Sequence, residues 1–237
     1  MSRPSPAVSE AGPDQIERQG ARRAMLTQLP STPRRRSGPP VGRGSQTGAR
    51  LTGGEAAGRR LLTSSGDGLR ATTAVMRGAC FNILGAQVVG AEVVDIFAGA
   101  GSLGLEALSR GASRATFVEL RRERAAVIRS NLDMLTYGDR AAVVVADALS
   151  WIPAATETLR AASVVLLDPP YRDSGPDLCL AAISKLAVVA ALVSDWDPVI
   201  VVEHHRQLLV PDTSGALDCV RTTRHGTTVL SFFRRRT

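Results

Sequence analysis

Five short apolar runs rich in Val, Ile and Leu recur between residues 91 and 203, and each of the first four is followed by a stretch with helical spacing. The runs are 91–97 (AEVVDIF), 114–120 (RATFVEL), 141–146 (AAVVVA), 162–168 (ASVVLLD) and 198–203 (PVIVVE), with helices expected over 103–110, 121–135, 147–160 and 176–193. Strands that do not alternate apolar with polar residues are buried on both faces, the condition of a parallel sheet covered by helices. After His205 the helical spacing stops, and 216–223 and 227–233 read as an antiparallel pair turning at His225-Gly226. Ahead of the alternation, RLTGGEAAGRRLLTSS from Arg50 reads as a small β-hairpin. Thr72-Thr73 can cap a helix running to about Val88, with Val75, Met76, Ala79, Cys80, Ile83 and Leu84 on its apolar face.

The turn after the first run, GAGSLG at 99–104, matches G-x-G-x-x-G between a strand and a helix, and Glu119 ends the next strand 20 residues after Gly99. Taken alone, this is the fingerprint of a dinucleotide site and leaves an NAD-dependent oxidoreductase open. Asp95, four residues before the first glycine, argues otherwise. A carboxylate in that crevice repels a pyrophosphate but favours the sulfonium and ammonium groups of S-adenosylmethionine. A side chain at Gly99 or Gly101 is expected to fill the cofactor's space. Glu119 is placed to accept from ribose hydroxyls. Asp147-Ala148, after the third strand, can contact an adenine, or Asp147 can simply cap a helix.

Asp168-Pro169-Pro170-Tyr171 follows the fourth strand. An exocyclic base amine is a poor nucleophile because its lone pair is delocalised, so catalysis must hold its N–H bonds and align the lone pair. The Asp168 carboxylate and Pro169 carbonyl supply two acceptors, the prolines stiffen the turn, and the Tyr171 ring can stack on a base.

The formal charge of +7 is uneven: residues 1–48 carry eight Arg against three acidic residues and seven of the 13 prolines, leaving 21 basic and 19 acidic groups beyond. Such a composition cannot offset the cost of ordering, so 1–48 is expected to be a disordered basic arm and 49–237 the folded domain, with 49–70 as its hairpin extension. The RRR at 34–36 either tethers RNA phosphates or belongs to an unselected extension. Likewise, Arg50, Arg59 and Arg60 either solvate an edge or contact phosphates. Three scattered cysteines support neither a disulfide framework nor a zinc site. His204 and His205, adjacent on an extended chain, point to opposite sides, so no metal is expected. No apolar run is long enough to span a membrane and the start lacks a signal peptide's apolar core, so a cytoplasmic protein without a membrane partner is expected.

RLTGGEAAGRRL, RATTAVMRGACFNIL, DIFAGAGSLGLEALSRGA, FVE, Asn131-Leu132 and LLDPPY, in this order, resemble the RsmD-type 16S rRNA (guanine-N2)-methyltransferases over about residues 49–237. The resemblance implies a Rossmann-like class I methyltransferase fold: a seven-stranded, mostly parallel sheet with one antiparallel strand and helices on both faces. It implies S-adenosyl-L-methionine around Asp95, Phe97, Gly99, Gly101, Glu119, Asp147 and Ala148, and a target guanine held by Asp168, Pro169, Pro170 and Tyr171. The expected partner is 16S rRNA in an assembling small-subunit particle, contacted by a monomer through Arg50, Arg59, Arg60, Arg70 and Arg77. Where members read R-P-T-x-D-R-V-R-E-A-L-F-N, this chain keeps Arg70, Thr72, Arg77, Phe81 and Asn82 but has Ala74, Val75 and Gly78 in place of an acid, a base and an acid. That change leaves open a non-catalytic RNA-binding assembly factor.

Overall fold

A computed structural model describes residues 49–63, 73–170 and 178–236. The basic arm expected over 1–48, together with Arg70, Thr72 and Tyr171, lies outside them. The parallel strands are β1 (Glu92–Ile96), β2 (Arg114–Glu119), β3 (Ala141–Val145), β4 (Val164–Leu167) and β5 (Val199–His205). They are followed by β6 (Thr213–Ser214), β7 (Leu217–His225) and β8 (Thr228–Arg235). The sheet order is β3-β2-β1-β4-β5-β8-β7-β6. The sheet therefore has eight strands where seven are implied, because two residues of the loop before β7 pair back onto it, Thr213 with Asp218 and Ser214 with Leu217. Both β8 and this short β6 run against the parallel set, so the antiparallel strand implied by the resemblance gains a companion.

The helices are α1 (Ala74–Leu84), α2 (Ser102–Ser109), α3 (Arg122–Leu135), α4 (Ala148–Ala154), α5 (Thr156–Ala161) and α6 (Leu178–Leu192). The period of two in the strands sorts the core into two layers. Val93, Phe117, Leu166 and Val201 pack with α1, α2 and α3, whereas Val94, Val118, Leu167 and Val202 pack with α4, α5 and α6. The crossover expected as one helix over 147–160 is two, since the turn at Ala155 follows Pro153, whose ring ends the regular hydrogen bonding. No described helix is long and apolar enough to cross a membrane.

Thr73 caps α1, its hydroxyl accepting from the Met76 N–H at 3.2 Å. The helix stops at Leu84 rather than Val88 because Gly85 takes φ 53°. Its buried face is Met76, Arg77, Cys80, Phe81 and Leu84, so Val75, expected in the core, is exposed. Among the described residues of the N-terminal segment, the Leu51 and Leu61 N–H groups donate to the Arg59 and Ala49 carbonyls, and Arg50 bridges Arg60. The residues between them peel away to bind α2: the Ser109 hydroxyl donates to the Gly53 carbonyl (2.7 Å) and accepts from the Ala56 N–H (3.0 Å). Leu51 and Leu61 anchor this loop in the core.

Candidate active site

The carboxyl ends of β2, β1 and β4 place Glu119, Asp95 and Asp168 beside one another. Asp95 pairs in register with Phe117 and Leu166, Glu119 lies two residues beyond Phe117, and Asp168 lies two beyond Leu166. Asp95 is 1% exposed. One of its oxygens accepts from the Gly104 N–H at 2.8 Å, and the other has no hydrogen-bond partner among the described residues. Burial pushes its carboxyl up to about 7, the Gly104 N–H opposes this, and the charges of Asp168 and Glu119 add to the rise. Glu119 accepts from the Gly99 N–H and from the Arg121 N–H, both at 2.8 Å, and so holds the turn from its far side. Each oxygen keeps a second lone pair for a ligand hydroxyl.

Between these carboxylates the chain turns sharply. Phe97 (φ 66°), Gly99 (φ 58°) and Gly101 (φ 85°) all adopt left-handed backbone, which a non-glycine residue accepts only at a cost of about 1–3 kcal/mol. A Cβ at Gly99 would meet open space, the opening a ligand needs, whereas one at Gly101 would meet Ile128 at 3.2 Å and Leu105 at 3.3 Å. The space expected to be kept open by both glycines is thus kept by Gly99, and Gly101 instead permits the turn and packs inward. Of the three glycines of the motif, Gly104 approaches its neighbours most closely: a Cβ there would stand 2.3 Å from the Phe117 ring.

Asp168 is half-buried directly after β4, with Pro169 buried and Pro170 exposed. Asp147 caps α4, its carboxylate accepting from the Ser150 N–H and hydroxyl, both at 2.9 Å, and Ala148 is buried behind it. Arg50, Arg59 and Arg60 are exposed on the N-terminal loop, where Arg50 donates to the Gly58 carbonyl at 2.8 Å. Arg77 must be corrected. It is fully buried, its Nε donates to Glu106 at 3.3 Å and its guanidinium reaches the Arg50 carbonyl, so it holds the fold together and is not available to RNA. Burial lowers its pKa and Glu106 offsets this.

Three polar residues escaped the sequence reading. Glu106, fully buried, accepts from the Thr52 N–H (2.8 Å), the Thr52 hydroxyl (2.7 Å) and Arg110 (2.7 Å) as well as from Arg77. Glu203, buried within β5 two residues before its end, follows Val202, the register partner of Leu167. It shares the period-two face of Val201 and Asp95, the one signal that could have found it. Asn131, fully buried on α3, was visible only as part of a family motif. The Cys80 thiol is pushed up to about 12 by burial and is inert at neutral pH.

The site fits a cationic nucleoside cofactor: an unsatisfied buried carboxylate oxygen, an open glycine and an acid on the neighbouring strand converge at one sheet end. With a parallel sheet covered on both faces and an antiparallel β8 inserted between β5 and β7, this defines a class I S-adenosylmethionine-dependent methyltransferase. A family model described as conserved hypothetical protein 95 matches residues 49–234. YlbH of Bacillus subtilis (strain 168), provisionally named an rRNA methyltransferase, is 32% identical over 192 residues, 79% of this chain and 99% of its own length. Ribosomal RNA small subunit methyltransferase D of Escherichia coli (strain K12) is 40% identical over 123 residues, 52% of this chain and 60% of the relative. The solved structure of Escherichia coli yhhF, provisionally named a methyltransferase, matches with a TM-score of 0.65 at 29% identity, over 79% of this chain and 97% of its own. The chain belongs to the conserved hypothetical protein 95 family, that of the RsmD-type methyltransferases. The cofactor is S-adenosylmethionine, which sets the NAD-dependent reading aside.

Proposed function

We propose that this methyltransferase modifies the exocyclic N2 of a guanine in small-subunit ribosomal RNA, within an assembling particle in the cytoplasm. The observation that carries the reading is the placement of Asp168-Pro169-Pro170 directly after β4, beside the strand that bears Asp95 and the glycine turn. The rRNA substrate is supported by the names of the relatives, YlbH and small subunit methyltransferase D.

S-adenosylmethionine, when bound, supplies an electrophilic methyl group on a sulfonium. Asp95 would favour its positive charge, the backbone at Gly99 would approach it, and Glu119 would accept from its ribose. The Asp147-Ala148 step would border the adenine. At the target base, the Asp168 carboxylate and Pro169 carbonyl would accept the two N–H bonds of the amine and turn its lone pair towards the methyl group. Pro170 stiffens the turn that leads to Tyr171, whose ring would stack on the base. Arg50, Arg59 and Arg60, with Arg70, would meet RNA phosphates. The altered positions 74 and 75 face solvent, and Gly78 has only the Thr52 hydroxyl near its Cβ direction, at 3.9 Å, so the lost polar groups leave the buried network intact.

The test is methyl incorporation into small-subunit particles from cells lacking the gene. Wild-type protein should label them, and Asp168→Ala should bind cofactor normally while transferring about 100-fold more slowly or worse. Normal transfer by Asp168→Ala would sink the mechanism, and no labelling by the wild type would favour the non-catalytic assembly factor.

A further inference from the structure

The glycine turn is held at three points. Asp95 takes the Gly104 N–H and Glu119 takes the Gly99 N–H, both at 2.8 Å. The third hold comes from behind: the Asn131 Nδ2 donates to the Ala100 carbonyl at 3.2 Å. The same side chain also grips the N-terminal segment, accepting from the Leu62 N–H at 2.7 Å and donating to the Leu62 carbonyl at 3.1 Å. One primary amide can accept once and donate twice with this geometry. Aspartate lacks the donors, and alanine lacks all three bonds.

Asn131 is fully buried, so water cannot replace what it supplies. Ala100 lies between two glycines in left-handed backbone, a stretch with little intrinsic preference for one shape. The Leu62 end continues the loop that exposes Arg50, Arg59 and Arg60. A single side chain therefore joins the arginine-bearing segment to the turn that faces the cofactor.

We infer that Asn131 is a positioning residue that sets the shape of the glycine turn, and that through it the N-terminal segment and the cofactor site are energetically coupled. The coupling rests on the proposed contact of that segment with RNA: docking the segment firms Leu62, Asn131 and then Ala100. By reciprocity, bound cofactor strengthens RNA docking by the same factor.

The test is calorimetric titration of the full chain with S-adenosylhomocysteine, compared among wild type, Asn131→Asp and Ser109→Ala. Asn131→Ala replaces the first variant if the buried charge prevents folding. Ser109→Ala removes a different tether of the N-terminal loop, at Gly53 and Ala56, without touching the glycine turn. Asn131→Asp should bind about tenfold more weakly with a native circular-dichroism spectrum, and Ser109→Ala should bind as wild type while melting earlier. Equal affinity in Asn131→Asp and wild type, or an equal loss in Ser109→Ala, overturns the positioning role. In a second arm, saturating small-subunit particles should tighten wild-type binding at least about fivefold and leave Asn131→Asp unmoved. Particle binding without tightening overturns the coupling. Absence of particle binding sinks the RNA reading and the coupling with it, while the first comparison stands.

Discussion

Asp95 does two things that oppose each other. It fastens the third glycine of the turn through one oxygen and leaves the other buried and unmatched, which is costly in the free protein and useful once a cation is near. Its carboxyl, 3.8 when free and about 7 in the fold, is protonated in both folded and unfolded chains below about pH 3.8. Stability from keeping it neutral is therefore fully present below about pH 3.8 and is lost progressively until pH has risen through about 7. Between about pH 4 and pH 7, Asp95→Asn should lose less thermal stability than the wild type. Between about pH 6 and pH 8 the ionised form of the folded protein gains, so affinity for the cationic cofactor should rise several-fold in the wild type and stay flat in Asp95→Asn. Parallel pH profiles in the two proteins would remove the carboxylate from cofactor binding.

At the level of elements, α3, which carries Asn131, ends in a strained residue. Thr136 closes α3 in left-handed backbone (φ 60°), an expensive choice for a β-branched residue. It is exposed and outside the site, its hydroxyl donating to the neighbouring Leu135 carbonyl. Thr136→Gly should stabilise the protein by about 1 kcal/mol, the strain relieved less the added freedom of the unfolded chain, and raise the melting temperature by about 2–4 °C with unchanged cofactor affinity. A lower melting temperature would show that the strain is offset locally. Elements such as β1, α2 and the terminal pair were legible because their apolar periods are unbroken. The end of α1 was not, since Gly85 adopts a positive φ that composition does not announce. Nor was the burial of Arg77, because a charge leaves solvent only when a distant partner, here Glu106, lies within reach.

The whole molecule separates its tasks by layer and by edge. Helices α1, α2 and α3 and the N-terminal loop form the face above Asp95 and Glu119, bound together by Glu106, Ser109 and Asn131, while α4, α5 and α6 close the other. The acids and glycines that the chain spaces far apart, from Asp95 to Asp168, converge because parallel strands bring every carboxyl end to one edge. That convergence was legible from strand order alone. The tethers were not, for Glu106 and Asn131 each join segments more than 50 residues away, with separations of 54 and 69. The proposal that this edge methylates small-subunit rRNA at guanine N2 meets its most direct test in mass-spectrometric mapping of that RNA from cells with and without the gene. One N2-methylguanosine should vanish on deletion, return with the wild-type gene and stay absent with Asp168→Ala. An unchanged map on deletion, or a missing mark on another base or another atom, would contradict it.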